Sequence, residues 1–96
     1  MPIFLLKCFD KPNSLELRMA TRPRHLEYIQ ALGDKVKVAG ATLDDNGNPK
    51  ASSLIIEFDN EEQAHEFVLN DPYSQVELFS HYQLSEYRPA AGVWVK

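Results

Sequence analysis

Short apolar runs alternate with stretches of helical spacing along the first third of the chain. Residues 3–9 are apolar and rich in aromatic side chains, which predicts a buried strand. Further on, Leu26, Ile29 and Leu32 recur at the spacing of one helix face. Gly33 follows directly and is expected to end this helix, because glycine is the common residue just beyond a helix terminus.

Pro23 lies upstream of that periodic region and complicates the prediction. Ser14 can cap a helical turn before it. Proline cannot continue a helix without losing a backbone hydrogen bond, so Pro23 is expected to begin a new segment with Thr21 or Arg22 as its cap. One helix and two broken pieces both remain open.

A β-hairpin is predicted in the middle of the chain. Residues 35–43 form a β-permissive stretch, and residues 44–49 contain Asn-Gly, a pair that favours tight turns. Residues 52–58 alternate and predict the second strand. One face of this strand carries Leu54, Ile56 and Phe58.

A second helix and a last strand complete the pattern. Asp59 is expected to cap the helix, with Glu62 three residues later completing a capping box. Asp71, followed by proline, is expected to open a short helical turn that runs through Val76. Residues 79–88 are rich in aromatic side chains and predict the final strand.

The order strand, helix, strand, strand, helix, strand predicts a ferredoxin-like α+β fold with a four-stranded antiparallel sheet, as one domain over residues 1–96. Two helices cover only one face of such a sheet. The other face would carry Ile3, Leu5 and Ile55, and the tail 93–95 is also apolar. A second copy of the sheet is the simplest cover, so we predict a homodimer.

Composition narrows the class of protein. A formal charge of −4 and a pI near 5.2 argue against nucleic acid as a main partner, because phosphate binding needs clustered lysine and arginine. No apolar run has the roughly 18 residues of a membrane span. The N-terminus has no basic segment or cleavage site typical of a signal peptide. The single cysteine, Cys8, fits a reducing compartment, so a cytoplasmic location is expected.

His25 and Asp71 are the candidate acid/base pair, each beside a proline that is expected to start a helix. A histidine near a carboxylate titrates close to neutral pH and can move a proton. The structural alternative is a partly buried histidine and an ordinary helix-capping aspartate. Arg18 and Arg22 share a helix face. This face is either a solvated surface or an electropositive rim that attracts a small anionic substrate.

The motifs Ser14-Leu15-Glu16-Leu17-Arg18, Arg22-Pro23-Arg24-His25-Leu26 and Asp71-Pro72-Tyr73 occur in order, and with them the chain resembles the YciI-like (YCII-related) family. This family is similar to dimeric α+β barrel proteins, a group that includes dehydrochlorinases, lactone isomerases and cofactor-free monooxygenases. The resemblance implies an α+β domain over the whole chain, a dimer, and an active site at His25 and Asp71. The chain departs from the family at Ala39-Gly40-Ala41, where many members have Ala-Gly-Pro, and lacks the glycine common before the last strand.

The sequence supports two alternative functions, an enzyme and a non-catalytic binding module. The first is a small cofactor-independent enzyme, of lyase or isomerase type, acting on a small cyclic or aromatic substrate. His25 would be its acid/base, Asp71 would orient His25, and Arg22, Tyr28 and Tyr73 would contact the substrate. No metal-ligand spacing or cofactor motif is present in the sequence. The second is a non-catalytic dimeric module that binds a metabolite or a protein partner.

Overall fold

The computed structural model describes residues 2–93 and shows the predicted ferredoxin-like α+β architecture. Its four-stranded antiparallel sheet has the order β2-β3-β1-β4. A 3₁₀ turn at Gly33–Lys35 follows the first helix. The elements are β1 (Ile3–Asp10), α1 (Leu15–Ala31), β2 (Val36–Leu43), β3 (Pro49–Glu57), α2 (Glu61–Asn70), α3 (Pro72–Gln75) and β4 (Phe79–Glu86).

The hydrophobic core lies between one sheet face and the helices. Alternate side chains of β1 point to this face, so Phe4, Leu6 and Cys8 are buried. The face predicted for β3 is buried as well, with Ile56 fully inaccessible and Leu54 at 2% exposure. Ala64, Phe67 and Val68 of α2 close the core. No helix within residues 2–93 is long and apolar enough to cross a membrane.

The opposite sheet face carries apolar side chains that the helices do not cover. Ile3, Leu5 and Ile55 are only partly buried there. A groove of about 780 Å³ is lined by Ile3 and Ile55 of this face, together with Val38 and Val93. The apolar tail noted in the sequence continues into Trp94 and Val95, which lie outside the described residues.

Helix α1 is continuous through Pro23, so the prediction that Pro23 begins a new segment is wrong. Proline in a helix interior costs about 3 kcal/mol or more, because it removes one hydrogen bond and crowds the carbonyl four residues earlier. That carbonyl belongs to Met19, and both Met19 and Pro23 are on the exposed side. The opposite side of the helix is buried through Arg18, Thr21 and His25, and these contacts offset the local cost.

The helix caps differ in detail from the predicted ones. Ser14 stands at the N-cap of α1, but its hydroxyl bonds the carbonyl of Pro12 rather than a helix amide. The cap of α2 is Asn60 and not Asp59: the Asn60 side chain accepts from the amide of Gln63 at 2.8 Å. The Gln63 side chain accepts from the Asp59 amide at 3.2 Å, so Asn60 and Gln63 cap the start of α2 in place of the predicted Asp59 and Glu62.

Candidate active site

Three buried polar residues of α1 face the sheet along one line of the helix. Arg18, Thr21 and His25 are separated by three and four positions, which places them on one helix face. Because α1 does not break at Pro23, Arg18 and His25 keep a fixed separation of about two turns. The continuity of α1 therefore fixes the spacing of the two backbone positions that carry these polar side chains.

His25 and Asp71 form a buried pair, 8% and 4% exposed respectively. The imidazole Nδ1 lies 2.9 Å from Asp71 Oδ1 and 3.1 Å from Oδ2. Asp71 ends α2 and caps α3, as the sequence predicted, and its Oδ1 also accepts from the backbone N–H of Tyr73 at 2.9 Å. A carboxylate accepts, so Nδ1 carries a proton in this contact, and in the neutral tautomer that it selects the lone pair lies on Nε2.

Arg18 is fixed by a second buried cluster. Its Nη1 donates to both carboxylate oxygens of Asp10 at 2.9 Å, and its Nη2 donates to Ser52 Oγ at 2.8 Å. The expectation of a solvated surface position for Arg18 is wrong, since only 4% of the residue is exposed. A guanidinium has five N–H donors, and these bonds use three of them. The remaining two make no hydrogen bond within residues 2–93.

Tyr73 packs between these groups. Its ring stacks on the His25 imidazole with centroids 4.0 Å apart and planes 14° apart. The Arg18 guanidinium carbon lies 4.9 Å from the centre of the same ring. Burial raises the pKa of the Tyr73 hydroxyl, so it stays a neutral phenol at ordinary pH.

A cavity of about 140 Å³ opens beside the cluster. His25, Arg18 and Ser52 all lie on its wall, together with Tyr73 and the exposed Arg22. One wall of the cavity is formed by small residues of β2. The remaining lining residues are Leu26, Ala39, Gly40, Ala41, Pro49 and Leu54.

The structure thus brings together four of the five residues that the sequence singled out, namely His25, Asp71, Arg22 and Tyr73. Tyr28 lies elsewhere: its hydroxyl donates to the carbonyl of Phe67 at 2.8 Å and its ring stacks on Phe67.

Two polar residues of the site, Asp10 and Ser52, were not singled out by the sequence, and Arg18 was considered there only as a solvated surface residue or as part of an electropositive rim. Arg18 lies seven positions before His25 and so on the same helix face, a pattern that could have identified it as a site residue. Asp10 and Ser52 are brought to Arg18 only by the folding of β1 and β3 against α1.

The other candidate groups lie apart from the cavity. His65 Nδ1 lies 2.8 Å from the Tyr82 hydroxyl. His81 is exposed and stacks on Phe9. Cys8 is buried, and desolvation raises the pKa of its thiol to about 12. Within residues 2–93, no three His, Cys, Asp or Glu side chains are grouped closely enough to hold a metal ion.

The antiparallel sheet, the helices on one face and the buried His–Asp pair define an α+β protein of ferredoxin-like fold with a candidate acid/base site. The chain belongs to the family of YCII-related domains, whose model matches residues 3–88. It is 29% identical over 94 residues to protein YciI of Escherichia coli O6:H1, a match that covers 90% of this chain and 96% of that protein. An uncharacterized protein of Haemophilus influenzae is 30% identical over 79 residues, covering 74% of this chain and 81% of that protein.

Solved structures agree with this assignment. The 5-chloro-2-hydroxyhydroquinone dehydrochlorinase TftG from Burkholderia phenoliruptrix, in complex with 2,5-dihydroxybenzoquinone, superposes with a TM-score of 0.85 and 31% identity. That match covers 92% of this chain and 95% of TftG. A putative antibiotic biosynthesis monooxygenase from Nitrosomonas europaea has a TM-score of 0.54 and 13% identity over 95% of this chain and 100% of the other, which shows the fold alone.

Proposed function

We propose that this protein is a small enzyme that uses His25 as general acid/base on a single-ring substrate bearing oxygen substituents. The observation that carries the proposal is the 2.9 Å contact between His25 Nδ1 and the buried Asp71 carboxylate, beside a cavity that the imidazole itself lines. The chemistry is of the elimination or isomerisation type, which needs one proton-transfer group and no change of oxidation state.

The His25–Asp71 pair supplies the proton-transfer step. Asp71 accepts the Nδ1 proton and holds the imidazole, so Nε2 is the nitrogen available to remove a proton from a bound substrate. The electron pair released moves onto a substrate oxygen. When the carbonyl re-forms, either a leaving group departs or the proton returns from His25 to a different carbon. Asp71 remains ionised and offsets the positive charge on the imidazolium.

Arg18 and Ser52 are placed to hold that oxygen. Ser52 Oγ accepts from Arg18, so the serine hydroxyl keeps its own proton to donate. Two N–H groups of Arg18 are also unused within the described residues. Hydrogen-bond donors that are already fixed in place lower the activation barrier, because they need not reorganise as negative charge develops on the substrate. Asp10 keeps the guanidinium in this orientation and balances its charge inside the protein.

The cavity sets the size of the substrate. A volume of about 140 Å³ is comparable to engineered protein cavities of about 150 Å³ that hold one benzene molecule. The likeness to TftG, whose described ligand is a dihydroxybenzoquinone, supports a hydroxylated or quinone-like ring. Arg22 at the exposed edge supports attraction of an anionic form of such a ring.

The test is a screen of halogenated hydroquinones and small lactones against the wild type and two variants. His25→Asn is expected to lose about 10²–10⁴-fold in kcat. Asp71→Asn can still cap α3 but would turn the imidazole to the wrong tautomer, so a similar loss is expected. His65→Asn, a histidine outside the cavity, is the matched control. Turnover that survives in His25→Asn would refute the proposal, and binding without turnover in the wild type would favour the non-catalytic module.

We propose further that the uncovered sheet face pairs with a second copy of the chain. Ile3, Leu5 and Ile55 present a continuous apolar surface there, and such surfaces in a folded protein commonly mark an interface. Ile55→Glu would place a charge in the centre of that interface and is expected to give a monomer. Light scattering after size exclusion measures this, with Lys50→Glu as control. A wild type that is monomeric at high concentration would refute the pairing.

A further inference from the structure

Tyr73 contacts three of the functional groups of the site, His25, Arg18 and Asp71. Its ring stacks on His25 at 4.0 Å, its π face lies 4.9 Å from the Arg18 guanidinium carbon, and its backbone N–H binds Asp71 at 2.9 Å. With 1% of its surface exposed, it is among the most buried side chains described. Within residues 2–93, no other aromatic ring contacts both the imidazole and the guanidinium.

We infer that Tyr73 is a positioning residue whose aromatic ring, rather than its hydroxyl, holds the His25 and Arg18 side chains at a fixed separation. Both side chains can then act on the same bound substrate molecule. This inference rests on the proposed function, since it assigns Tyr73 to the same site. It differs from the substrate-contact role that the sequence predicts for Tyr73.

The support comes from how firmly the ring itself is held. Phe79 packs its edge against Tyr73 at 5.9 Å with planes 77° apart. The backbone of Tyr73 is fixed by the Asp71 cap and by its carbonyl, which accepts from the Leu78 amide at 3.0 Å. A ring held by its backbone bonds and by a neighbouring aromatic ring gives His25 and Arg18 a rigid surface to pack on.

The π face suits both neighbours for an electrostatic reason. Its negative quadrupole attracts the permanent charge of Arg18 and also the imidazolium that His25 becomes after taking a proton. Without the ring, Asp71 would hold the imidazole through one nitrogen only, and rotation about that contact would move Nε2. A displacement of about 1 Å at a reacting group can cost about 10²-fold in rate.

The kinetic experiment compares Tyr73→Leu with Tyr73→Phe on the substrate found for the wild type. We expect Tyr73→Leu to lose about 10²-fold in kcat with less than about threefold change in KM, and Tyr73→Phe to recover most of the loss. Phe58→Leu, which removes a buried ring away from the cavity, is the matched control for stability. Tyr73→Met serves if the leucine variant does not fold, because methionine fills irregular gaps.

Two kinetic outcomes would overturn the inference. If Tyr73→Leu or Tyr73→Met keeps the wild-type kcat, the ring is not needed. If Tyr73→Phe loses as much as Tyr73→Leu, the hydroxyl is the functional group.

A second measurement does not depend on turnover, so it separates failure of this inference from failure of the proposed function. The His25 Nδ1 proton, held by Asp71, is expected to give a protected downfield resonance by NMR in the wild type and in Tyr73→Phe. In Tyr73→Leu the same resonance is expected to broaden or vanish as the imidazole gains freedom. An unchanged resonance in Tyr73→Leu would refute the positioning role even if the enzyme reaction is confirmed.

Discussion

Replacement of Asp10 by alanine would leave the Arg18 charge buried without its carboxylate. The two side chains are 6% and 5% exposed, and one guanidinium nitrogen contacts both carboxylate oxygens at 2.9 Å. Removal of one partner of a buried ion pair costs about 3–5 kcal/mol, because the remaining charge has lost its counterion. Ser52 and the Tyr73 ring still face the guanidinium, so we expect the lower end of this range, about 3 kcal/mol.

For a domain of this length a loss of about 3 kcal/mol lowers Tm by at least about 12 °C. Urea and thermal unfolding at one fixed protein concentration would measure both quantities, since association changes apparent stability. Glu61→Ala removes a carboxylate from the exposed pair with His65 and is expected to cost less than about 1 kcal/mol.

The double variant Asp10→Ala/Arg18→Met separates the pair from its surroundings. It removes both charges, so it should recover part of the stability lost in Asp10→Ala, while activity stays low because Arg18 is gone. A loss of stability in Asp10→Ala no larger than that in Glu61→Ala would show that Arg18 does not depend on Asp10. The same follows if the double variant is less stable than the summed losses of Asp10→Ala and Arg18→Met predict.

Three shorter predictions follow from other parts of the chain. Glu77 has φ +59°, so Glu77→Gly should raise the free energy of unfolding by about 0.5–1 kcal/mol in urea titrations, whereas Glu77→Ala should bring no gain. Burial raises the pKa of Cys8 from 9.0 to about 12, so the native thiol should resist alkylation at pH 8. The stability that the protonated thiol contributes is present below pH 9 and is lost as the pH rises toward 12. Cys8→Ala should therefore flatten the decline in the free energy of unfolding at alkaline pH. Ala41→Leu should reduce affinity for the single-ring ligand identified by the proposed screen at least about tenfold by calorimetry, with Thr42→Leu, outside the cavity lining, as control; equal affinities would show that β2 does not limit the cavity.

The sheet was predictable because its signal is local. Alternation in β3 identifies the buried face through Leu54 and Ile56, and the turn residues between β2 and β3 mark the hairpin. The pair of His25 and Asp71 was also within reach, since each residue stands beside a proline in a recognisable motif. Their 2.9 Å contact was not, because it joins residues 46 positions apart.

The break in α1 expected at Pro23 does not occur, for a physical reason that also explains why the burial of Arg18 was not predicted. Local propensity counts the cost of Pro23 but not the tertiary contacts of the opposite helix face, where Arg18 and His25 are buried. An arginine in a sequence is most simply read as solvated, and only a partner from β1, Asp10, makes its burial tolerable.

The contacts that stabilise the fold at this point are therefore the same contacts that create the site. Asp10 allows Arg18 to be buried. Arg18 bonds to β1 and β3, and His25 contacts Asp71 and Tyr73, so these two residues of α1 hold the helix in place on either side of Pro23. If this coupling is correct, a substitution that weakens the site should also loosen the middle of α1. Amide hydrogen exchange in α1 should thus increase in Asp10→Ala around the turn containing Thr21, and far less in Glu61→Ala.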